Sequence, residues 1–191
     1  MQVLKFGGSS VANAANIHKV IAIVQRAVKK EPTVLVVSAL GGVTDSLLQV
    51  GHLASTAHES YKVLLKELEK RHLDTVRDLL PIQQQSATLS QVKQQFNELD
   101  GICDGVFLLG ELSPRTKDRI VSYGELLSSL TISAAFQSLE ADQSWVDSRK
   151  LIATNSNHGN AAVVFAVTNQ KIQDHFATYP HQLYIAPGFI S

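Results

Sequence analysis

The sequence predicts an α/β fold of three layers, with helices on both faces of a mainly parallel sheet. A strand–helix–strand unit opens the chain, residues 47–139 carry helical periodicity without a strand signal, and short apolar strands return after residue 143. "QVLKF" (2–6) is short and apolar, and "TVLVVSAL" (33–40) is a β-branched run of the kind buried on both faces of a parallel sheet. Between them Ile17, Val20, Ile21, Val24 and Val28 recur at helical spacing, while His18, Lys19, Gln25, Arg26 and Lys29 take the other face and Asn13 stands as the cap. That order makes the two strands parallel neighbours.

After "GGVTDS" (41–46) the helices begin. Tyr61, Leu65, Leu68, His72, Val76 and Leu79 mark one face up to Pro81, and Leu89, Val92, Phe96, Leu99, Cys103 and Val106 mark the next up to Gly110. A third helix starts with Ser113 as cap and Pro114 in the first turn, where a missing N–H costs nothing, and runs to about Leu139. Strands are then expected at 144–147, around 151–154, at 161–167 and at 183–190, with Thr168 capping a short helix that holds Ile172 and Phe176. There is no repeat and no linker, so the helices form an excursion between the second and third strands of one domain.

Bulk composition excludes several function classes. At 191 residues the chain matches one sizeable domain, commonly about 100–200 residues. Seventeen basic residues balance seventeen acidic ones, which leaves no general attraction to nucleic acid or to an anionic membrane. The single cysteine, Cys103, sits in an apolar periodic stretch and reads as a reduced, buried thiol. With no apolar run long enough to span a bilayer and no signal-like N-terminus, a soluble, cytoplasmic chain is expected.

Three constellations carry candidate chemistry. Lys5, Gly7, Gly8, Ser9 and Ser10 follow the first strand, where glycines let backbone N–H groups converge on an anion and Lys5 adds a mobile charge. One preorganised donor to charge developing in a transition state contributes roughly 3 to 4 kcal/mol. The spacing is neither a P-loop nor a dinucleotide fingerprint, and a plain tight turn with Lys5 solvated at the strand edge is the alternative. "SALGGVTDS" (38–46) repeats the pattern after the next strand with Thr44 beside it, so two glycine loops can face one ligand in the crevice at the strands' carboxyl ends. Gly41 and Gly42 as a simple turn, with Thr44 or Asp45 as a helix cap, is the competing reading. Third, Glu125 follows the mid-helix glycine Gly124 in "SYGELLS" (122–128) and can bind a substrate ammonium, or else be a solvated helix residue beside a packing contact.

The remaining titratable residues point to structure. None of the seven histidines has metal-ligand spacing, and His72 reads as a hydrogen-bonded core residue. Asp147 and Arg149 read as a local ion pair, and "RHLDTVR" (71–77) and "SPRTKDR" (113–119) read as solvated faces.

With these stretches in view, the sequence resembles the aspartate kinases, members of the amino-acid-kinase family. "VLKFGGSSVA" (3–12) looks like that family's N-terminal phosphate motif, "VVSALGGVTDSLL" (36–48) like its second loop, and "RTKDRIVSYGELLSS" (115–129) like its substrate helix, in the expected order. The long helical middle looks most like the bifunctional aspartate kinase–homoserine dehydrogenase branch. The resemblance implies ATP-dependent phosphorylation of the L-aspartate β-carboxylate to aspartyl phosphate, the first step towards lysine, threonine and methionine. It implies that Lys5 neutralises the transferring phosphoryl group and that Gly7, Gly8 and Ser9 cradle it. It further implies that Ser38, Ala39 and Thr44 line the aspartate pocket, that Glu125 holds the α-ammonium, and that Mg2+ is held through the nucleotide phosphates.

The resemblance also implies a continuation. In the family a second glycine-rich segment bearing an arginine, a serine and an aspartate follows "PGFIS" (187–191), then adenine-binding elements and ACT domains. Residues 1–191 are therefore expected to be the amino-terminal, substrate- and phosphate-binding part of a kinase domain, incomplete and nearly inactive alone. The open sheet edge is expected to support a homo-oligomer. A glutamate-type sister kinase, or a non-catalytic binding module that keeps the loops, is the alternative.

Overall fold

Strand alternation decides which side of the sheet is core. The computed structural model describes residues 1–188, and β1 (Gln2–Phe6), β2 (Thr33–Val37), β3 (Gln143–Trp145) and β4 (Leu183–Pro187) form a single parallel sheet in the order β1-β2-β4-β3. Leu4, Leu35 and Ile185 are in register on one face, and Val3, Val34 and Tyr184 are in register on the other. The Leu35 face is buried under α1 (Ala14–Val28) and α5 (Pro114–Ser138). On the opposite face α7 (Phe165–Thr178) covers β4, where the Phe176 ring meets Tyr184 edge-on at 4.4 Å. The same face is open at β1, leaving Val3 65% exposed. Helix, sheet and helix are the three layers the sequence predicts.

The expected excursion lies between β2 and β3. It comprises α2 (Val43–Ser55), α3 (Ser60–Leu79), α4 (Gln85–Leu109) and α5, whose apolar stripes meet in one core. The start and stop signals operate as read: Asn13 accepts from the Asn16 N–H at 3.0 Å, Ser113 accepts from the Thr116 N–H at 3.2 Å, and Gly110 ends α4 at φ 64°. Among the described residues no helix is long and apolar enough to cross a membrane.

Several boundaries differ from expectation. The chain leaves β2 at Val37 instead of Leu40, because Leu40 turns inward to accept the Val43 N–H at 2.9 Å. β3 ends at Trp145 and Asp147 instead caps α6 (Ser148–Leu151), accepting from the Arg149 N–H at 3.1 Å. Residues 151–154 and 161–167 are not strands: only the bridge between Thr154 and Val163 forms, and α7 starts at Phe165. An apolar run without period cannot separate strand from helix, and this one stays at the surface, with Phe165 70% exposed. Thr168 lies inside α7 rather than capping it, and its hydroxyl accepts the Ala153 N–H at 3.0 Å. The last strand ends at Pro187, and positions 189 and 190 of the expected 183–190 strand lie outside the described residues.

Among the titratable residues His72 and Cys103 are core, as expected. Cys103 is fully buried and its thiol is pushed up to about 12 by burial. Asp118 departs from the solvated-face reading, since it is 8% exposed and accepts the Gly159 N–H at 2.7 Å. Asp147 and Arg149 form the expected local pair, 2.8 Å apart.

His72 makes stability depend on pH. Its Nδ1 lies 2.8 Å from the Leu68 carbonyl and its ring meets Phe96 at 5.4 Å, while burial lowers its pKa from 6.5 to about 4. The unfolded chain protonates this ring below 6.5 and the folded chain resists, so its stabilising contribution is complete above pH 6.5 and is lost as pH falls towards 4. The loss amounts to about 3 kcal/mol by linkage. Urea unfolding of wild type and His72→Gln at pH 7.5 and pH 4.5 should show the wild type losing more stability on acidification; equal losses would contradict the assignment.

Candidate functional site

The carboxyl ends of three strands meet at one place. Phe6 accepts the Ser38 N–H at 3.0 Å, and Val37 accepts the Gly188 N–H at 2.9 Å, so the loops after β1, β2 and β4 leave the sheet side by side. Ser148, at the start of α6, donates to the Pro187 carbonyl at 2.8 Å and holds the third loop in place.

The first two loops touch at glycines, where a side chain would be tightly crowded. A Cβ on Gly8 would lie 3.1 Å from the Ala39 carbonyl oxygen, and one on Gly41 would lie 3.2 Å from Ala12 Cβ and 3.3 Å from the Gly8 carbonyl oxygen. The first loop is a turn in which the Ser10 N–H reaches the Gly7 carbonyl at 2.9 Å and the Val11 N–H reaches Gly8 at 3.3 Å. Among the described residues this leaves the N–H groups of Gly8 and Ser9 without an acceptor. The Ser9 carbonyl is tied back to α1 by the Asn16 side-chain amide at 2.9 Å.

The second loop presents donors of the same kind. Gly42, at φ 81°, is the N-cap of α2 and supplies no side-chain bond, so neither Thr44 nor Asp45 is the cap. Among the described residues the N–H groups of Thr44 and Asp45 are unpaired, and the helix dipole adds partial positive charge at that end. Thr44 and Ser38 are half-buried and Ala39 is buried.

Helix α5 closes the site from behind. A Cβ on Gly124 would fall 2.8 Å from Ala39 Cβ, 3.3 Å from Leu47 and 3.5 Å from Val43, so only glycine lets α5 come this near to the loop and to the start of α2. The next residue, Glu125, is 8% exposed rather than solvated, and its Oε2 is buried without a hydrogen-bond partner. Burial raises the Glu125 pKa, while the Ala39 N–H, its own N–H and the Lys5 charge act in the other direction. Lys5 itself is exposed on the open face of β1 and among the described residues bonds to neither loop, reaching Glu125 through charge alone.

The predicted site residues are thus brought together, with unequal order. Gly8, Ser38, Ala39, Thr44 and Glu125 form a packed cleft; Lys5, Gly7 and Ser9 lie on its solvent side. Sequence reasoning missed Ser128, whose hydroxyl donates to the Ser38 carbonyl at 2.7 Å, as well as Ser148 and Gly188. Ser128 stands one turn beyond Glu125 and was legible only as one of several serines on that helix. The cavity of about 370 Å³ beside Val28, Phe136 and Leu183 shares none of the site residues, whereas one of about 220 Å³ beside Phe6 and Asn16 includes Ser9 in its lining.

A model of the amino acid kinase family matches residues 1–191, the whole sequence. The chain belongs to the amino acid kinase family. Among curated proteins this kinase-family chain is 30% identical over 190 residues to the chloroplastic bifunctional aspartokinase/homoserine dehydrogenase 1 of Zea mays, covering 99% of the chain and 20% of that protein. It is 33% identical over 135 residues to chloroplastic aspartokinase 1 of Arabidopsis thaliana, covering 69% of the chain and 22% of that protein. The fold is that of the E. coli aspartokinase III structure in complex with aspartate and ADP, with a TM-score of 0.85 at 22% identity over 100% of this chain and 41% of that one. The kinase-family chain therefore spans about a fifth of the length of the Zea mays relative. The expected family resemblance is borne out.

The tight approach at Gly124 can be tested without a ligand. Gly124→Ala should destabilise the chain by about 1 to 3 kcal/mol through overpacking, more than the roughly 1 kcal/mol that alanine gains in a helix. Ala39→Gly in the same chain should recover most of that loss. A double-mutant cycle by urea denaturation reads it, and additive effects would refute the contact.

Proposed function

We propose that these residues form the phosphate- and substrate-binding side of an aspartate kinase, which phosphorylates the β-carboxylate of L-aspartate at the expense of ATP. One observation carries the reading: a buried, unpaired Glu125 carboxylate oxygen lies behind loops whose N–H groups are also unpaired among the described residues, and that carboxylate feels the Lys5 charge. Such a cleft suits a ligand with a cation at one end and anions at the other. The names of the relatives, aspartokinases alone or joined to homoserine dehydrogenase, support the same substrate.

Each residue has a definite task in this reading. Glu125 accepts the substrate α-ammonium, and that pairing favours its ionised form against the burial that opposes it. Thr44, Ser38 and Ala39 flank the amino acid and turn its β-carboxylate towards the first loop. A β-carboxylate oxygen bonds to the γ-phosphorus of ATP, the bond from that phosphorus to its bridging oxygen breaks, and ADP leaves. The Gly8 and Ser9 N–H groups, with Gly7 allowing close approach, take the phosphoryl oxygens, and Lys5 neutralises the charge developing there. Among the described residues no three His, Cys, Asp or Glu side chains converge as a metal cage, so a magnesium ion would arrive on the nucleotide phosphates.

On this reading the buried, hard-to-ionise Cys103 fits a reducing compartment such as the cytoplasm, and the free edge of β1 fits pairing between copies. Residues 1–191 make up the amino-terminal portion of the catalytic domain and contribute binding more than turnover.

Calorimetric titration of the chain with L-aspartate and with L-glutamate tests the proposal. L-Aspartate should bind more tightly, and Glu125→Gln should weaken it by about 2 kcal/mol or more, roughly 30-fold. Equal or stronger L-glutamate binding would favour the glutamate-type kinase. In the full-length kinase, ADP release unchanged by Lys5→Ala would mark the loops as a non-catalytic binding module.

A further inference from the structure

Helix α5 carries several buried hydroxyls, and one of them touches the site. Ser129 is bonded to the Trp145 indole N–H at 3.0 Å and Ser133 to Gln143 at 3.0 Å, so both serve the contact with β3. Ser128, wholly buried, instead reaches the loop after β2: its Oγ lies 2.7 Å from the Ser38 carbonyl oxygen and 3.1 Å from the Glu125 carbonyl oxygen. The hydroxyl has a single proton, and the shorter bond to Ser38 takes it.

The Ser38 carbonyl and the Ala39 N–H belong to one peptide group. In a trans peptide the two point in opposite directions, so fixing one end fixes the other. The carbonyl end faces Ser128, so the N–H end points away from it; that N–H lowers the pKa of Glu125, whose own residue is brought beside Ala39 by the Gly124 contact. A flipped peptide would turn its oxygen on that carboxylate, which would repel it, and would leave the buried Ser128 hydroxyl without this acceptor. The Ala39 methyl against Gly124 fixes where the loop sits, but a methyl contact has no direction and cannot fix the peptide plane.

We propose that Ser128 is a positioning residue that locks the Ser38–Ala39 peptide with its N–H towards Glu125, and so sets the carboxylate's geometry for the substrate ammonium. The inference deepens the aspartate kinase reading and rests on it for the identity of the ligand. Ser128 touches no substrate in this scheme; it acts through the peptide.

The test compares wild type, Ser128→Ala and Ser129→Ala. Ser129→Ala is the control, since it removes a buried hydroxyl from the same helix without touching the loop. Two quantities are read on each: L-aspartate affinity by calorimetry, and the titration midpoint of the Glu125 carboxyl carbon by NMR. Ser128→Ala should weaken L-aspartate by about tenfold or more and move the Glu125 midpoint upward as the Ala39 N–H is lost. Ser129→Ala should lower the melting temperature and leave both quantities near wild type. If Ser128→Ala retains wild-type affinity and midpoint, or Ser129→Ala moves both as far, the positioning role is overturned. If the wild type itself has no affinity for L-aspartate, the aspartate reading fails and the midpoint alone decides: a shift specific to Ser128→Ala upholds the lock, and an unmoved one overturns it.

Discussion

The closeness of α5 to the turn after β2 is the constraint on which the cleft depends. Gly124 has no Cβ because Ala39 occupies its place, and neighbouring Leu47 and Val43 fill the remaining space. Leaving out one methyl group at that point brings the α5 backbone against the Ala39 methyl of the loop. Two consequences follow along the chain: Glu125, next in sequence, is carried below the surface, and the start of α2 is drawn up beside it. A mid-helix glycine costs about 1 kcal/mol relative to alanine, and here the cost is offset by a contact that no larger residue permits.

The cleft has two electrical ends, each made by a different means. At the anion-accepting end the charge is mostly backbone: unpaired N–H groups after β1 and at the start of α2, in loops that glycine allows to touch. At the cation-accepting end it is one carboxylate, held where burial disfavours its charge. A partner cation is then worth more to Glu125 than to a surface glutamate, because the uncompensated state is the costly one. On the proposed reading, selectivity for an ammonium would arise from this penalty as much as from attraction.

Much of this could be read in the sequence, because the elements concerned follow local rules. The caps at Asn13 and Ser113 and the stop at Gly110 act within four residues of themselves, and the helix faces through Tyr61 and Val92 follow period alone. The loops were legible because glycine pairs after apolar strands have few other uses. The misreadings arose where a residue's role is set by a distant partner. Thr168 serves Ala153 instead of its own helix, Asp118 is buried by Gly159 from another segment, and Ser128 matters through Ser38, ninety positions away. The apolar run at 161–167 misled for a different reason, since composition without period leaves helix and strand equally open.

Lys5 is the site residue that the fold leaves least constrained, and its exposure bears on how the site would work. Two unit charges about 4 Å apart attract by about 1 kcal/mol in water and about 4 kcal/mol at the effective dielectric near a protein surface. On the open face of β1 the Lys5 ammonium is in the first regime, so its strength towards a phosphoryl group depends on water being excluded there. Glu125 already lies in the second, because α5 and the loop after β2 cover it. The two ends of the cleft are therefore preorganised to different degrees. On the proposed reading, the ammonium side is complete in the packing of Gly124 against Ala39, whereas the phosphoryl side would gain most of its strength only when a ligand displaces solvent from the end of β1.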